Sequence, residues 1–400
     1  MGDLRNQILY VGTFPPRECG IATFTKDLTT AIGSPKICAM NNGVAFDYGN
    51  EVVMHINELD IKNYLKTARK INKDAAIKLV NIQHEFGIYG GKYLNYLSAF
   101  LETIKKPVVM TLHSVVPNPP DNIRSILQYL IKKVDRLIVM AEKAVEILEN
   151  DYDVERDKVR VIPHGIHPVD YQNSSVQKEK FDQEHLQKYG KNNDYQNKVI
   201  LSSFGLISGG KDYETIIKSL PEVIKQFPNL LYLIIGQTHP GVLKDEGEKY
   251  RNYLQGLIEG LGIEKNVQFV NKYLELPKLL DYLKATDIFL LSGKGLNQIT
   301  SGTLSYAMGC GKPVICHPFT HAQEIVTSER GILVELGNPK TYSEALIKLL
   351  GDAELREKMS RNAYAYTRRM TWDNIAKEYL ELFNQVVEKQ DTFPSSPLLQ

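Results

Sequence analysis

Along the chain, short unbroken runs of apolar, largely β-branched residues alternate with longer stretches whose apolar positions recur every three or four residues. The runs cover 7–14, 36–40, 51–56, 77–83, 106–113, 135–141 and 159–165 in the first half. In the second they cover 198–207, 229–237, 266–273, 287–293, 312–318 and 331–336. A strand with one wet face alternates apolar and polar residues. Runs without that alternation predict strands covered on both faces, hence parallel sheets sandwiched by helices. Helical periodicity is clear over 61–73, 123–133 and 372–387.

The pattern occurs twice, which predicts an α/β chain of two doubly wound, Rossmann-like domains, in keeping with its 400 residues. Residues 171–197 are polar and lack a sustained apolar face, so the boundary is expected near 190, with domains at 1–188 and 189–371 and a hinge between them.

Lys plus Arg (48) balance Asp plus Glu (47), and the sequence pI is about 7.6. That balance offers no basic field for a phosphate backbone and excludes nucleic acid as a partner. The four cysteines form no Cys-x-x-Cys pair and the histidines no metal-ligand spacing, so free thiols, no metal and a cytoplasmic protein are expected. Met1–Asn6 carries no signal-peptide core, and no apolar run reaches the roughly 20 residues of a membrane span. The lysine-rich stretch 62–73 reads as a solvated face, with peripheral contact to an anionic membrane as the alternative.

Ligands of open parallel sheets collect beyond the carboxyl ends of the strands, so the segments after strands carry the candidate chemistry. After the first run, Pro15 and Pro16 stiffen a turn and Gly20 lets backbone approach a ligand just before a helix expected near Ala22. No G-x-G-x-x-G is present, which disfavours a nicotinamide dinucleotide. His84, His113 and His164 end three further runs. A lone histidine is ordinarily structural, but three at equivalent strand ends suit sugar hydroxyls or phosphate oxygens, and His113 is the strongest. In the second half Lys211 follows a glycine-rich turn beginning at Gly205, where an ammonium can neutralise phosphate. Thr300, Ser301, Gly302 and Thr303 open a helix whose first amides are free for an anion. An ordinary N-cap at Thr300 or Ser301 fits them equally well.

Together, PPRECGIATFTKDL (15–28), IQHEFGIYGG (82–91), TLHS (111–114), VIPHGI (161–166), SFGLISGGKDYE (203–214), QITSGTLSYAMGCGKPV (298–314) and WDNIAKEYLELF (372–383) resemble the retaining glycosyltransferases of family 4, in the order such enzymes use. The resemblance covers nearly the whole chain. It implies a GT-B fold, two facing Rossmann-like domains with a nucleotide sugar in the cleft and a last helix, 372–390, that crosses back to the first domain. It further implies that Gly20 approaches the transferred sugar, that His113 bonds it, that Lys211 holds the diphosphate, and that Ser301, Gly302 and Thr303 offer amides to it. Glu324 falls on a family position near the cleft, and Arg17, His84 and Glu85 fall on the acceptor side.

Three positions depart from the family pattern. Leu206 stands where an arginine usually lies beside the diphosphate. Gln298 and Tyr306 stand where two glutamates usually face the donor sugar and the ribose. Gln298 keeps hydrogen bonding near the chemistry, beside His113 and Lys211, without a carboxylate charge. The activity so implied is metal-independent hexosyl transfer, without any cofactor, from a nucleoside diphosphate sugar to a hydroxyl of a carbohydrate acceptor, with retention. GDP-mannose is the first donor indicated and UDP-glucose the second. A nucleotide-sugar 2-epimerase, a sugar phosphorylase and a non-catalytic nucleotide-sugar binder stay open, as does the oligomeric state.

Overall fold

In the computed structural model, which describes residues 4–189 and 194–392, each apolar run becomes one strand of a parallel sheet. Strands β1 (Ile8–Gly12), β2 (Lys36–Asn41), β3 (Val52–Asn57), β4 (Leu79–His84), β5 (Val108–Leu112), β6 (Arg136–Val139) and β7 (Val159–Val161) form a seven-stranded sheet in the order β3-β2-β1-β4-β5-β6-β7. Strands β8 (Val199–Phe204), β9 (Leu230–Ile235), β10 (Val267–Val270), β11 (Ile288–Leu291), β12 (Val314–Cys316) and β13 (Gly331–Leu333) form a second, ordered β10-β9-β8-β11-β12-β13. In each sheet the winding reverses between the first strand and the one that follows the crossover, β1 beside β4 and β8 beside β11. Ligands of doubly wound sheets gather at such switch points.

Both faces of each sheet are covered, which is why the runs are continuous. Along β1, Leu9 and Val11 enter one core with the helices Ile61–Lys73 and Asn95–Thr103, while Ile8 and Tyr10 enter another. That second core is completed by the helix Trp372–Thr392. Its Trp372, Ile375, Ala376, Tyr379, Leu382, Phe383 and Val386 recur at helical spacing on one face. In β9, Leu230, Tyr232 and Ile234 face one core, and Leu231, Leu233 and Ile235 the other.

The chain divides into two compact units. The first takes the residues up to Gly165, the short segment Asn297–Thr300 and the chain from Met370; the second takes Ile166–Leu296 and Ser301–Arg369. The division after Gly165 precedes the boundary expected near 190. The reason lies in the polar helix Ser174–Tyr189, which is bound to the second unit by one buried ring, Phe181 against Tyr195 and Tyr282, and by buried polar groups, with no continuous apolar stripe. Lys178 Nζ lies 2.5 Å from Asp287 Oδ2 and donates to Lys198 O at 3.0 Å. Asp182 accepts from the amides of Tyr195 and Gln196 at 2.8 and 2.9 Å. The hinge expected at 190 lies outside the described residues. Among the described residues no helix is long and apolar enough to cross a membrane.

Candidate functional site

In the second unit three elements converge on the end of β8. Gly205 adopts φ +137°, a conformation that favours glycine. A Cβ built on it would lie 3.9 Å from Lys211 Nζ and 3.8 Å from Thr303 Cγ2, so backbone, ammonium and helix start meet there. The turn that carries the lysine is held from the β11 side, where Ser292 Oγ donates to Lys211 O at 2.7 Å and Lys294 N to Gly210 O at 3.1 Å. Among the described residues no carboxylate pairs with Lys211, because the neighbouring Glu214 is taken by Lys294 at 3.3 Å and by the Tyr250 hydroxyl. Burial pushes the Lys211 pKa down. A half-buried cation without a counter-ion is poised to receive an anion.

The helix Gly302–Gly309 starts beside it. Ser301 is its N-cap, with Oγ accepting from Leu304 N at 3.3 Å and its own amide donating to His321 Nδ1 at 3.0 Å. The ordinary capping role is therefore real and uses the Leu304 amide. It leaves the amides of Gly302 and Thr303 without a partner among the described residues, at the positive end of the helix. Lys211 Nζ and the Thr303 side chain thus meet at Gly205, beside a helix start that carries two open amides. Leu206, half-buried, adds no charge.

In the first unit Gly20 opens the helix Gly20–Ile32, two residues before the start expected at Ala22, because Cys19 caps it: Sγ accepts from Ala22 N at 3.4 Å. Gly20 is exposed, and a Cβ on it would meet nothing within 4 Å. His113, one residue past β5, lies with Nε2 2.8 Å from Gln83 Oε1. Burial, then the nearby His164 and His84, push its pKa down to about 3, so the ring is neutral. Glu85 Oε1 accepts from Phe86 N at 2.9 Å and Ser114 Oγ at 3.0 Å, and burial raises its pKa.

The geometry argues against the acceptor-side roles of Arg17 and His84 and places Gln298, Tyr306 and Glu324 without testing theirs. Arg17 Nη1 is 2.8 Å from Glu58 Oε2 and donates to Met40 O at 3.1 Å, with both side chains largely buried, so it pins the β1 loop rather than offering charge to an acceptor. His84 is 0 % exposed, sealed beside Phe86 and Tyr89, and cannot touch an acceptor in this conformation. Gln298 is exposed and its amide donates to Thr300 O at 2.8 Å. Tyr306 is buried with its hydroxyl 3.3 Å from His167 Nε2. Glu324 is half-buried on the short helix Thr320–Ile325 after β12.

Two residues absent from the sequence reading matter here. Phe24 packs edge-on against His113 at 4.6 Å, His164 at 5.2 Å and Trp372 at 5.2 Å between ring centroids, and so fixes the wall behind His113. A side chain at Gly165 would collide with the Trp372 indole, which explains that glycine by packing alone. The other residue, Gln83, was marked only by polarity at alternate positions of an apolar strand, Asn81 and Gln83 in β4.

Comparison with known proteins agrees with this architecture. Residues 52–169 match the family model described as Glycosyltransferase Family 4, and 184–366 match that described as Glycosyl transferases group 1. An uncharacterised glycosyltransferase of Methanocaldococcus jannaschii is 28% identical over 201 residues, 48% of this chain and 47% of that protein. A GDP-mannose-dependent monoacylated alpha-(1-6)-phosphatidylinositol monomannoside mannosyltransferase of Corynebacterium glutamicum is 30% identical over 169 residues, 41% of each chain. The chain thus spans under half the length of these two curated relatives. The crystal structure of Anabaena HepE in complex with UDP and glucose superposes with a TM-score of 0.73 at 16% identity, covering 94% of this chain and 99% of that one, a likeness of fold. The two family models cover part of the first unit and most of the second, including the segments that carry His113, Lys211 and Gly302, and the chain belongs to the family 4 glycosyltransferases of GT-B fold.

Proposed function

We propose that the chain moves a hexosyl group from a nucleoside diphosphate sugar to a hydroxyl of a carbohydrate acceptor, with retention of configuration and without a metal ion or cofactor. The observation that carries this reading is the unpaired Lys211 ammonium facing the Gly205 backbone and the open helix start at Gly302 and Thr303. As the bond from the anomeric carbon to the diphosphate oxygen breaks, negative charge grows on the leaving group, and these groups oppose it where a cation would otherwise be needed. The acceptor oxygen then bonds the anomeric carbon on the same face, and its proton passes to the leaving phosphate oxygen. No protein nucleophile enters the balance. The remaining demand is orientation, for which His113 supplies a neutral imidazole to the sugar.

GDP-mannose is the preferred donor, supported by the corynebacterial relative whose name states that dependence. UDP-glucose is the second choice, supported by the UDP and glucose in the Anabaena structure. A sugar-nucleotide binder without transferase activity is favoured by one observation, the Gln298 amide bonded to its own loop at Thr300.

Thermal shift and turnover test the proposal. Nucleoside diphosphates should raise Tm, because a ligand bound only by the folded state stabilises it. Lys211→Ala should abolish that shift and lower kcat by about 100-fold or more. A shift that survives the substitution removes Lys211 from the site. Tight binding with neither transfer nor slow sugar release favours the binder, and the anomeric configuration of the product tests retention.

A further inference from the structure

Behind His113 the sheet of the first unit contains polar side chains that its apolar strands do not require. Asn81, Gln83 and Thr111 are each 0 % exposed, on the paired strands β4 and β5. Their hydrogen bonds run in one direction, set by a group that cannot reverse. Val109 O can only accept, so the Asn81 amide nitrogen points to it at 3.1 Å. Asn81 Oδ1 then faces Gln83, whose Nε2 donates to it at 2.5 Å. Gln83 Oε1 is left facing His113 Nε2 at 2.8 Å. A carboxamide oxygen accepts and never donates, so the proton of His113 sits on Nε2 and Nδ1 is a bare lone pair. The far end is tied as well, with Asn81 Nδ2 3.4 Å from Thr111 Oγ1, which lies 3.3 Å from the Tyr379 hydroxyl.

We propose that Gln83 is a positioning residue that locks His113 in the Nε2–H tautomer, so that Nδ1 meets its ligand only as an acceptor from a hydroxyl. The proposal rests on the reading above that the sugar of the donor lies against His113. Sequence alone left that imidazole able to donate to phosphate or to bond a sugar. The fixed tautomer removes the first choice, because a lone pair repels a phosphate oxygen. His113 therefore selects a sugar that presents a hydroxyl proton to Nδ1, and a donor lacking that hydroxyl loses the contact. The edge-on Phe24 ring holds the imidazole plane against rotation.

Nitrogen NMR of the full chain labelled at its nine histidines tests the tautomer directly without any ligand, with His113→Asn identifying the signal. The expected wild-type spectrum shows a protonated Nε2 and a pyridine-type Nδ1 at His113, and a protonated Nδ1 overturns the proposal without recourse to any variant. Gln83→Met, which keeps the shape and removes the acceptor, should release the tautomer. It should also lower kcat/KM for the nucleotide sugar roughly 10- to 100-fold, the scale on which partners that orient a ligating histidine act. Affinity for the free nucleoside diphosphate should stay unchanged. Gln83→Glu, which still accepts from Nε2–H, should keep the tautomer. A tautomer indifferent to Gln83→Met, or a loss shared equally by sugar nucleotide and free diphosphate, overturns the positioning role. A chain that shows the tautomer yet transfers no sugar overturns the functional reading instead.

Discussion

At the end of β4, His84 is 0 % exposed and, among the described residues, neither ring nitrogen has a hydrogen-bond partner. An orphaned buried polar group costs about 1–3 kcal/mol relative to one that is satisfied. Burial also pushes its pKa from 6.5 down to about 4. Below pH 6.5 the unfolded chain takes up a proton at this position that the folded chain refuses, so stability falls as the pH drops from 6.5 through 4 and levels off beneath it. The full loss from this one group is about 3 kcal/mol. His84→Leu should therefore raise stability by about 1–2 kcal/mol at neutral pH and flatten the acid limb of the curve. Chemical denaturation at pH 7 and pH 4.5 checks it. A variant that is less stable at both values would show that the imidazole has a partner in solution.

The helix Gly302–Gly309 separates two roles that one run of small residues could serve. Ser301 holds φ −138° and ψ 104°, an extended conformation that tolerates a following proline, and proline is well suited to the first helical position. Gly302→Pro removes an amide that has no partner among the described residues while leaving the cap bond from Leu304 N to Ser301 in place. The expected outcome is an unliganded Tm within a degree or two of the parent. Affinity for a nucleoside diphosphate should fall about tenfold, the scale of one hydrogen bond to a charged group. Calorimetric titration measures the second quantity, and unchanged affinity would clear that amide of any contact with phosphate. Much of this element was legible beforehand, because Thr, Ser and Gly at a helix start carry their meaning locally, as do continuous apolar runs for buried parallel strands. The relation of side chains on neighbouring strands was not. Whether His113 meets Gln83, or Arg17 meets Glu58, depends on register and rotamer that no single stretch encodes. Helix Ser174–Tyr189 misled for a related reason: it is held by a single buried ring, Phe181, with a lysine on Asp287 and an aspartate on two amides, and one ring and such bonds leave no apolar period to read.

Across the whole chain the last element in sequence closes the first unit. The helix Trp372–Thr392 covers the sheet face formed by Ile8, Tyr10, Ile37, Ala39, Val109 and Ile138, and it packs on the helix Gly20–Ile32 whose amino end carries Gly20. Without it that face would meet water, and Phe24 would lose Trp372 from the wall that supports His113. The helix is thus structural for the fold and, through Phe24 and the Thr111–Tyr379 bond, connected to the imidazole. Phe383 is the residue to probe: it is 0 % exposed, packs on Tyr10 and Tyr379 with ring centroids 6.4 and 5.7 Å away, and touches no group proposed to meet a ligand. Phe383→Ala removes a ring from a packed interior and should cost about 3–5 kcal/mol. The loss belongs to the first unit, so the His113 nitrogen signals should vanish at the lower denaturant midpoint. Lys211 and the Gly302 helix lie in a unit with its own cores, so nucleoside diphosphate affinity below that midpoint should equal that of the parent. A midpoint unchanged within error would mean that the helix is not packed on the sheet in solution. A parallel loss of nucleotide binding below the midpoint would mean that the diphosphate groups depend on the first unit for their arrangement.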